Sequence, residues 1–149
     1  MKLFSKVFAT FFGAGYFPLA PGTLTSAIVI LLYKYLLHKL SWPVYLSLFF
    51  LLFFLGIWVS DVHSKTLKKE DPRSVVIDEA VGQFLVLFLL SPQWILCLVS
   101  FFLFRFFDIF KPFPIKKVET FPGGFGIMLD DILAALYAGI LINLYLLLR

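Results

Sequence analysis

LDDILAALYAGILINLYLLL, residues 129–148, decides how the chain is read. Two adjacent acids, Asp130 and Asp131, head an apolar run that carries no further charge before Arg149. A membrane span needs ~20 mostly apolar residues, so a span here must take both acids into its first turn. A carboxylate in hydrocarbon is costly and persists only beside a cation, a base or a water-filled cavity. The same juxtaposition recurs upstream. Asp78-Glu79 sits between Val75-Val76-Ile77 and Ala80-Val81, and Asp108 closes the run that begins near Trp94. Only 9 of the 149 residues are Asp or Glu, so this concentration beside apolar runs and Gly/Pro-rich turns points to one polar site at a bilayer face.

Composition agrees. The chain is 61% apolar and 15% charged, with mean hydropathy +0.97, whereas soluble domains are roughly 25% charged. A single integral-membrane domain over residues 1–149 is expected. Cys97 is the one cysteine and lies in an apolar run, which excludes a disulfide framework or a thiolate metal site and leaves it as packing. The net charge of +4 comes with no nucleic-acid-binding pattern. Basic residues beside spans serve topology and contact with anionic headgroups. Lys2 and Lys6 precede an apolar stretch, but Gly13-Ala14-Gly15-Tyr16-Phe17-Pro18 offers no small-x-small cleavage site, so a cleaved signal is not expected.

The expected fold is all-α, a polytopic membrane helix bundle. It has about five membrane helices plus a short interfacial or re-entrant helix over residues 3–12. Prolines and glycines make 13–23 a loop. Spans follow at about 23–40, 42–60, 75–90, 94–110 and 129–148, with a polar connection over 61–74 and a tight turn at Ser91-Pro92-Gln93. The runs 80–90 and 94–104 are too short to span alone, so Asp78 and Glu79, and Arg105 and Asp108, must enter those helices. If spans alternate, loops 13–23, 61–74 and 111–129 emerge on one side with Lys65, Lys68, Lys69, Arg73, Lys111, Lys116 and Lys117. The positive-inside bias puts that side, and every intramembrane acid, at the cytoplasmic face.

The residue types suggest a chemistry. Adjacent helical residues point about 100° apart, so one of Asp78 and Glu79 can face a metal while the other reaches a neighbouring helix or a second ion. Arg105, Asp108 and Lys111, at i, i+3 and i+6, share a helical face. Arg105 and Lys111 suit phosphate, by bidentate hydrogen bonds and by point charge respectively, unless Arg105 only closes the helix end as an ion pair with Asp108. Asp108 would hold a metal or orient the attacking water. Gly123-Gly124-Phe125-Gly126 reads as a flexible loop entering a helix whose N-terminus favours anions, where Asp130 and Asp131 are either metal ligands or helix caps. His38 and His63 lack a His or Cys partner at helical spacing. Hard carboxylate oxygens without thiolate or a His cluster point to Mg²⁺, with Mn²⁺ the other candidate. Metal-assisted hydrolysis of a lipid phosphomonoester fits this set. An ion- or proton-coupled transporter is the competing class, and a non-catalytic membrane scaffold a weaker one.

Four segments carry a more specific resemblance: Gly15-Tyr16-Phe17-Pro18-Leu19-Ala20-Pro21-Gly22-Thr23, Val76-Ile77-Asp78-Glu79-Ala80-Val81-Gly82, Phe104-Arg105-Phe106-Phe107-Asp108-Ile109-Phe110-Lys111-Pro112-Phe113-Pro114-Ile115 and Gly123-Gly124-Phe125-Gly126-Ile127-Met128-Leu129-Asp130-Asp131. In this order they resemble phosphatidylglycerophosphatase A, small enzymes of the bacterial inner membrane. The resemblance implies Mg²⁺-dependent removal of the terminal phosphate of phosphatidylglycerol phosphate, in phospholipid biosynthesis, with the site facing the cytoplasm. It implies Asp78, Glu79, Asp130 and Asp131 as metal ligands and Asp108, Asp78, Arg105 and Lys111 in catalysis. Arg105, Lys111, Thr23 and Ser26 are then expected on the substrate. The chain departs from the family pattern at Thr25, where PGT-x-GS has glycine, and at Ala134-Ala135, where Ala-Gly is common. Both departures concern packing or loop shape more than the acids.

Overall fold

The computed structural model describes residues 2–148. Helices α1 (Lys2–Ala9), α2 (Pro21–Tyr35), α3 (Trp42–Leu67), α4 (Ile77–Val86), α5 (Trp94–Phe110), α6 (Ile115–Val118) and α7 (Gly123–Leu148) follow one another, with no strand among the described residues. Pro21 and Pro43 stand in the first turns of α2 and α3, where a missing N–H leaves no bond unmade. Lys68 and Lys111 end α3 and α5 in left-handed conformation, which stops each helix at a sharp turn.

α7 packs against α3, α4 and α5, while α2 lies on α4 and α5 and α1 on α3. The buried face of α7 carries the small residues Gly124, Ala134, Ala135 and Ala138, which let neighbouring backbones approach closely. Gly124 shows how closely: a Cβ there would fall 2.0 Å from the Ile57 carbonyl oxygen of α3. Outside this core the surface is apolar. Phe50, Phe54, Phe102, Phe106, Ile140 and Leu144 are each about half or more exposed, a distribution suited to lipid and not to water.

Among the described residues only α3 and α7 are long and apolar enough to cross a membrane, each 26 residues long and containing a stretch of mean hydropathy 2.1 and 2.0 respectively. Two such helices suggest membrane association; the five expected full spans are not seen. α2 has 15 residues, α4 has 10 and α5 has 17, all short of ~20. The run at 75–90 contracts most, because α4 ends at Val86 and Leu89 turns to φ 62° ahead of Pro92. The backbone freed there is satisfied from within. Tyr45 Oη donates to the Phe84 carbonyl at 2.6 Å, Tyr33 Oη to that of Leu90 and Lys34 Nζ to that of Pro92. Irregular backbone in apolar surroundings is tolerated only when protein covers it.

Other boundaries also moved. Pro21 opens α2 inside the expected loop, and α3 runs on to Leu67, leaving 68–76 as the polar connection. α7 begins six residues before the expected 129, so its glycine segment is helical. Asp130 and Asp131 therefore lie in the second and third turns, 5% and 2% exposed, and neither is a helix cap.

Candidate active site

Four parts of the chain meet at one end of the bundle: the first turns of α2 and α4, the last turns of α5, and the first turns of α7. With loops 68–76 and 111–122 they enclose a cavity of about 870 Å³. Asp78, Glu79, Arg105, Asp108, Lys111, Asp130, Asp131 and Thr23 all line it, so helices far apart in sequence deliver nearly every expected residue to one space.

Asp78, Glu79 and Asp131 each bring one carboxylate oxygen to within 4.8 Å of the others. Asp78 Oδ1, Glu79 Oε2 and Asp131 Oδ2 are buried with no hydrogen-bond partner. Buried polar atoms without partners are rare, and like charges this close repel unless a cation or protons intervene. The donor set fits a hard divalent cation, being carboxylate oxygen with no thiolate or imidazole. Both acids of the Asp78-Glu79 pair belong to this group.

Glu79 can lie here because the first turn of α2 carries a glycine. A Cβ on Gly22 would fall 2.0 Å from Glu79 Oε1 and 3.0 Å from Arg105 Nη1. The first turn of α2 has no side-chain cap, so unpaired N–H groups and the positive end of its dipole face the cavity.

Asp130 behaves differently from its neighbour. Its Oδ2 accepts a hydrogen bond from Lys111 Nζ at 2.6 Å, and its Oδ1 accepts one from the Asp131 backbone N–H at 3.0 Å. Lys111 Nζ also donates to Glu119 Oε1 at 2.7 Å. Burial disfavours the Lys111 charge, but the hydrogen bonds to Asp130 and Glu119 outweigh it and raise the pKa above the usual lysine range. Arg105 Nη1 lies 2.5 Å from Asp108 Oδ2 and 3.8 Å from Glu79 Oε1. Its Nε and Nη1 nevertheless have no aligned acceptor, so the guanidinium is charge-paired while retaining free donors.

Ser26 is not at the cavity wall. One turn beyond Gly22 the helical register carries it into the bundle, where it is fully buried with Oγ unpartnered. Thr25 is buried too, its Oγ1 donating to the Pro21 carbonyl at 2.9 Å. Ala134 and Ala135 are at most 1% exposed, so both departures from the family pattern sit in packing. His63 meets Ser74 Oγ at 3.4 Å and His38 meets the Tyr33 carbonyl; neither reaches the acids. The sequence reading missed Asp71 and Glu119 and gave Arg73 only a topological role, yet all three line the cavity. They lie in loops, where no periodicity marks them; the one available signal was their nearness in sequence to the acid-bearing helices.

Residues 7–146 match the family described as phosphatidylglycerophosphatase A. A Haemophilus influenzae protein of that name is 44% identical over 88% of this chain and 82% of its own length. An Escherichia coli protein of the same name is 35% identical over 87% of this chain and 77% of its own. A Bacteroides thetaiotaomicron protein, provisionally named a phosphatidylinositol-3-phosphatase, is 42% identical over 89% and 87%. No solved structure matches the chain. A family match over nearly the whole chain, joined to relatives of 44% and 35% identity covered over 82% and 77% of their length, makes this protein a phosphatase enzyme that belongs to the phosphatidylglycerophosphatase A family.

Proposed function

We propose that the protein hydrolyses the terminal phosphomonoester of phosphatidylglycerol phosphate, giving phosphatidylglycerol and phosphate, with Mg²⁺ or Mn²⁺ held by Asp78, Glu79 and Asp131. The observation that carries this reading is the group of three carboxylates, each with a buried unpartnered oxygen, beside two bases and a helix N-terminus in one cavity. The names of the relatives supply the substrate. The charge asymmetry supports a place in the bacterial inner membrane with the cavity facing the cytoplasm.

The cation, when bound, would neutralise phosphate charge and make water a better nucleophile. The chain's own groups do the rest. Arg105 and the first turn of α2 hold nonbridging oxygens where negative charge grows in the transition state. Lys111 adds a point charge, steadied by Asp130 and Glu119 on either side. Asp108, its Oδ2 anchored by Arg105, keeps Oδ1 to orient the attacking water and accept its proton. Asp108 then gives that proton to the leaving oxygen, so the product departs as the glycerol hydroxyl. Asp130 is assigned to orienting Lys111 rather than to the cation.

An ion- or proton-coupled transporter would place its acids near the midplane between broken helices; here they gather at one end, and the relatives give that reading no support. Purified protein in uncharged detergent with Mg²⁺ should release phosphate from phosphatidylglycerol phosphate, and excess chelator should abolish the release. Robust hydrolysis in chelator would defeat the metal assignment, and no hydrolysis under any cation would defeat the substrate.

A further inference from the structure

A second cavity of about 370 Å³ adjoins the first and shares Pro21 and Arg73 with it. The two spaces differ in charge. The first is rich in carboxylates, whereas the second is lined by Lys69 and Arg73 and by no acid. Arg105 and Lys111 are ion-paired inside the first cavity. Arg73 and Lys69 join no ion pair among the described residues. Arg73 is exposed on the wall between the two spaces, fixed there by Nη2 donating to the Leu19 carbonyl at 2.7 Å. That contact uses one of its five N–H donors. Tyr16 and Phe17 line the second cavity and are 54% and 41% exposed; aromatic side chains of this kind settle at headgroup level.

We propose that Arg73, assisted by Lys69, binds the phosphodiester of the phospholipid substrate and so makes the enzyme select lipids carrying both a diester and a monoester phosphate. This rests on the phosphatidylglycerol phosphate reading above and adds a subsite to it. A phosphodiester is a monoanion that needs a base and no metal, which is what the second cavity offers. In the substrate the diester stands one glycerol away from the monoester, so a residue on the wall between two adjoining cavities can reach it. A guanidinium suits the task, since its planar donors match two phosphate oxygens at once.

The test separates the two phosphates with two inhibitors in uncharged mixed micelles. Phosphatidylglycerol carries only the diester, and inorganic phosphate stands in for the monoester. In Arg73→Gln, and more so with Lys69→Gln added, the inhibition constant of phosphatidylglycerol should rise about tenfold while that of inorganic phosphate stays put. KM for the substrate should rise more than kcat falls, and Arg73→Lys should lie between. An unchanged phosphatidylglycerol constant, or a parallel rise in both constants, overturns the assignment, the second because it marks a general distortion of the site. If the wild-type protein released no phosphate from the lipid, the proposed function would fall instead. Normal wild-type turnover with unaltered product inhibition in the variants removes Arg73 alone.

Discussion

Asp130 and Asp131 are adjacent in sequence yet meet different partners. Asp131 joins Asp78 and Glu79 around buried, unpartnered oxygens, while Asp130 is hydrogen-bonded to Lys111. We predict that Asp78→Asn, Glu79→Gln and Asp131→Asn each raise the Mg²⁺ concentration for half-maximal activity at least tenfold; even residues behind a metal ligand typically matter by about 10–100-fold. Asp130→Asn should lower turnover and leave the Mg²⁺ dependence near wild type. Equal shifts in all four titrations would return Asp130 to the ligand set. Arg105 poses a separate question, because its pairing with Asp108 is also what a purely structural ion pair looks like. Arg105→Lys keeps the charge but loses the planar donors and should still impair activity; Arg105→Ala should lose on the order of 10²-fold. The double variant Arg105→Leu with Asp108→Leu removes both buried charges together, avoiding a stranded ion. Stability recovered without activity supports the catalytic roles, and activity recovered with it refutes them.

Between elements, two glycines fix the close approaches on which the site depends, and the same substitution should fail differently at each. Gly124→Ala places a methyl against the α3 backbone, so it should loosen the α3–α7 contact and reduce stability by about 1–3 kcal/mol, read by reversible unfolding in mixed micelles. Gly22→Ala meets the Glu79 carboxylate and Arg105 instead. It should cut activity sharply with little change in unfolding. A Gly22→Ala protein with full activity would mean that α2 does not position Glu79. What could be read from sequence at this scale follows the physics of each segment. The bounds of α5 were legible because Pro92 and Pro112 bracket an apolar run whose only charges before Lys111 are Arg105 and Asp108. α4 was read too long, since its Leu-rich tail looks helical and only tertiary hydrogen bonds from Tyr33, Tyr45 and Lys34 make its early end tolerable. The glycine start of α7 was read as loop, because the tight packing that favours glycine there belongs to α3, a partner that local sequence does not name. The acids themselves were legible, being conspicuous against apolar neighbours. The division of labour between Asp130 and Asp131 was not, as it depends on where Lys111 arrives from another helix.

For the molecule as a whole, α3 and α7 provide two helices of 26 residues, about 39 Å each at 1.5 Å per residue and longer than the ~30 Å hydrocarbon core. Their ends can therefore reach the headgroup region of a bilayer, and the acid-lined cavity lies at the end of the bundle where α7 begins. Orientation can be checked in a Cys97→Ser background with single cysteines at Lys68, Lys116 and Lys39. The first two should react with an impermeant reagent only from the cytoplasmic side and the third only from the opposite side. Labelling of Lys68 and Lys39 positions from one side would contradict the alternating arrangement.

The claim on which the rest depends is that Asp78, Glu79 and Asp131 hold a divalent cation, and Mn²⁺ binding followed by electron paramagnetic resonance tests it without recourse to activity. The wild-type protein should bind Mn²⁺, release it to excess Mg²⁺, and retain binding in Asp130→Asn while losing most of it in Asp78→Asn and Asp131→Asn. Mn²⁺ bound equally well by wild type, Asp78→Asn and Asp131→Asn would show that the three carboxylates are not the metal site.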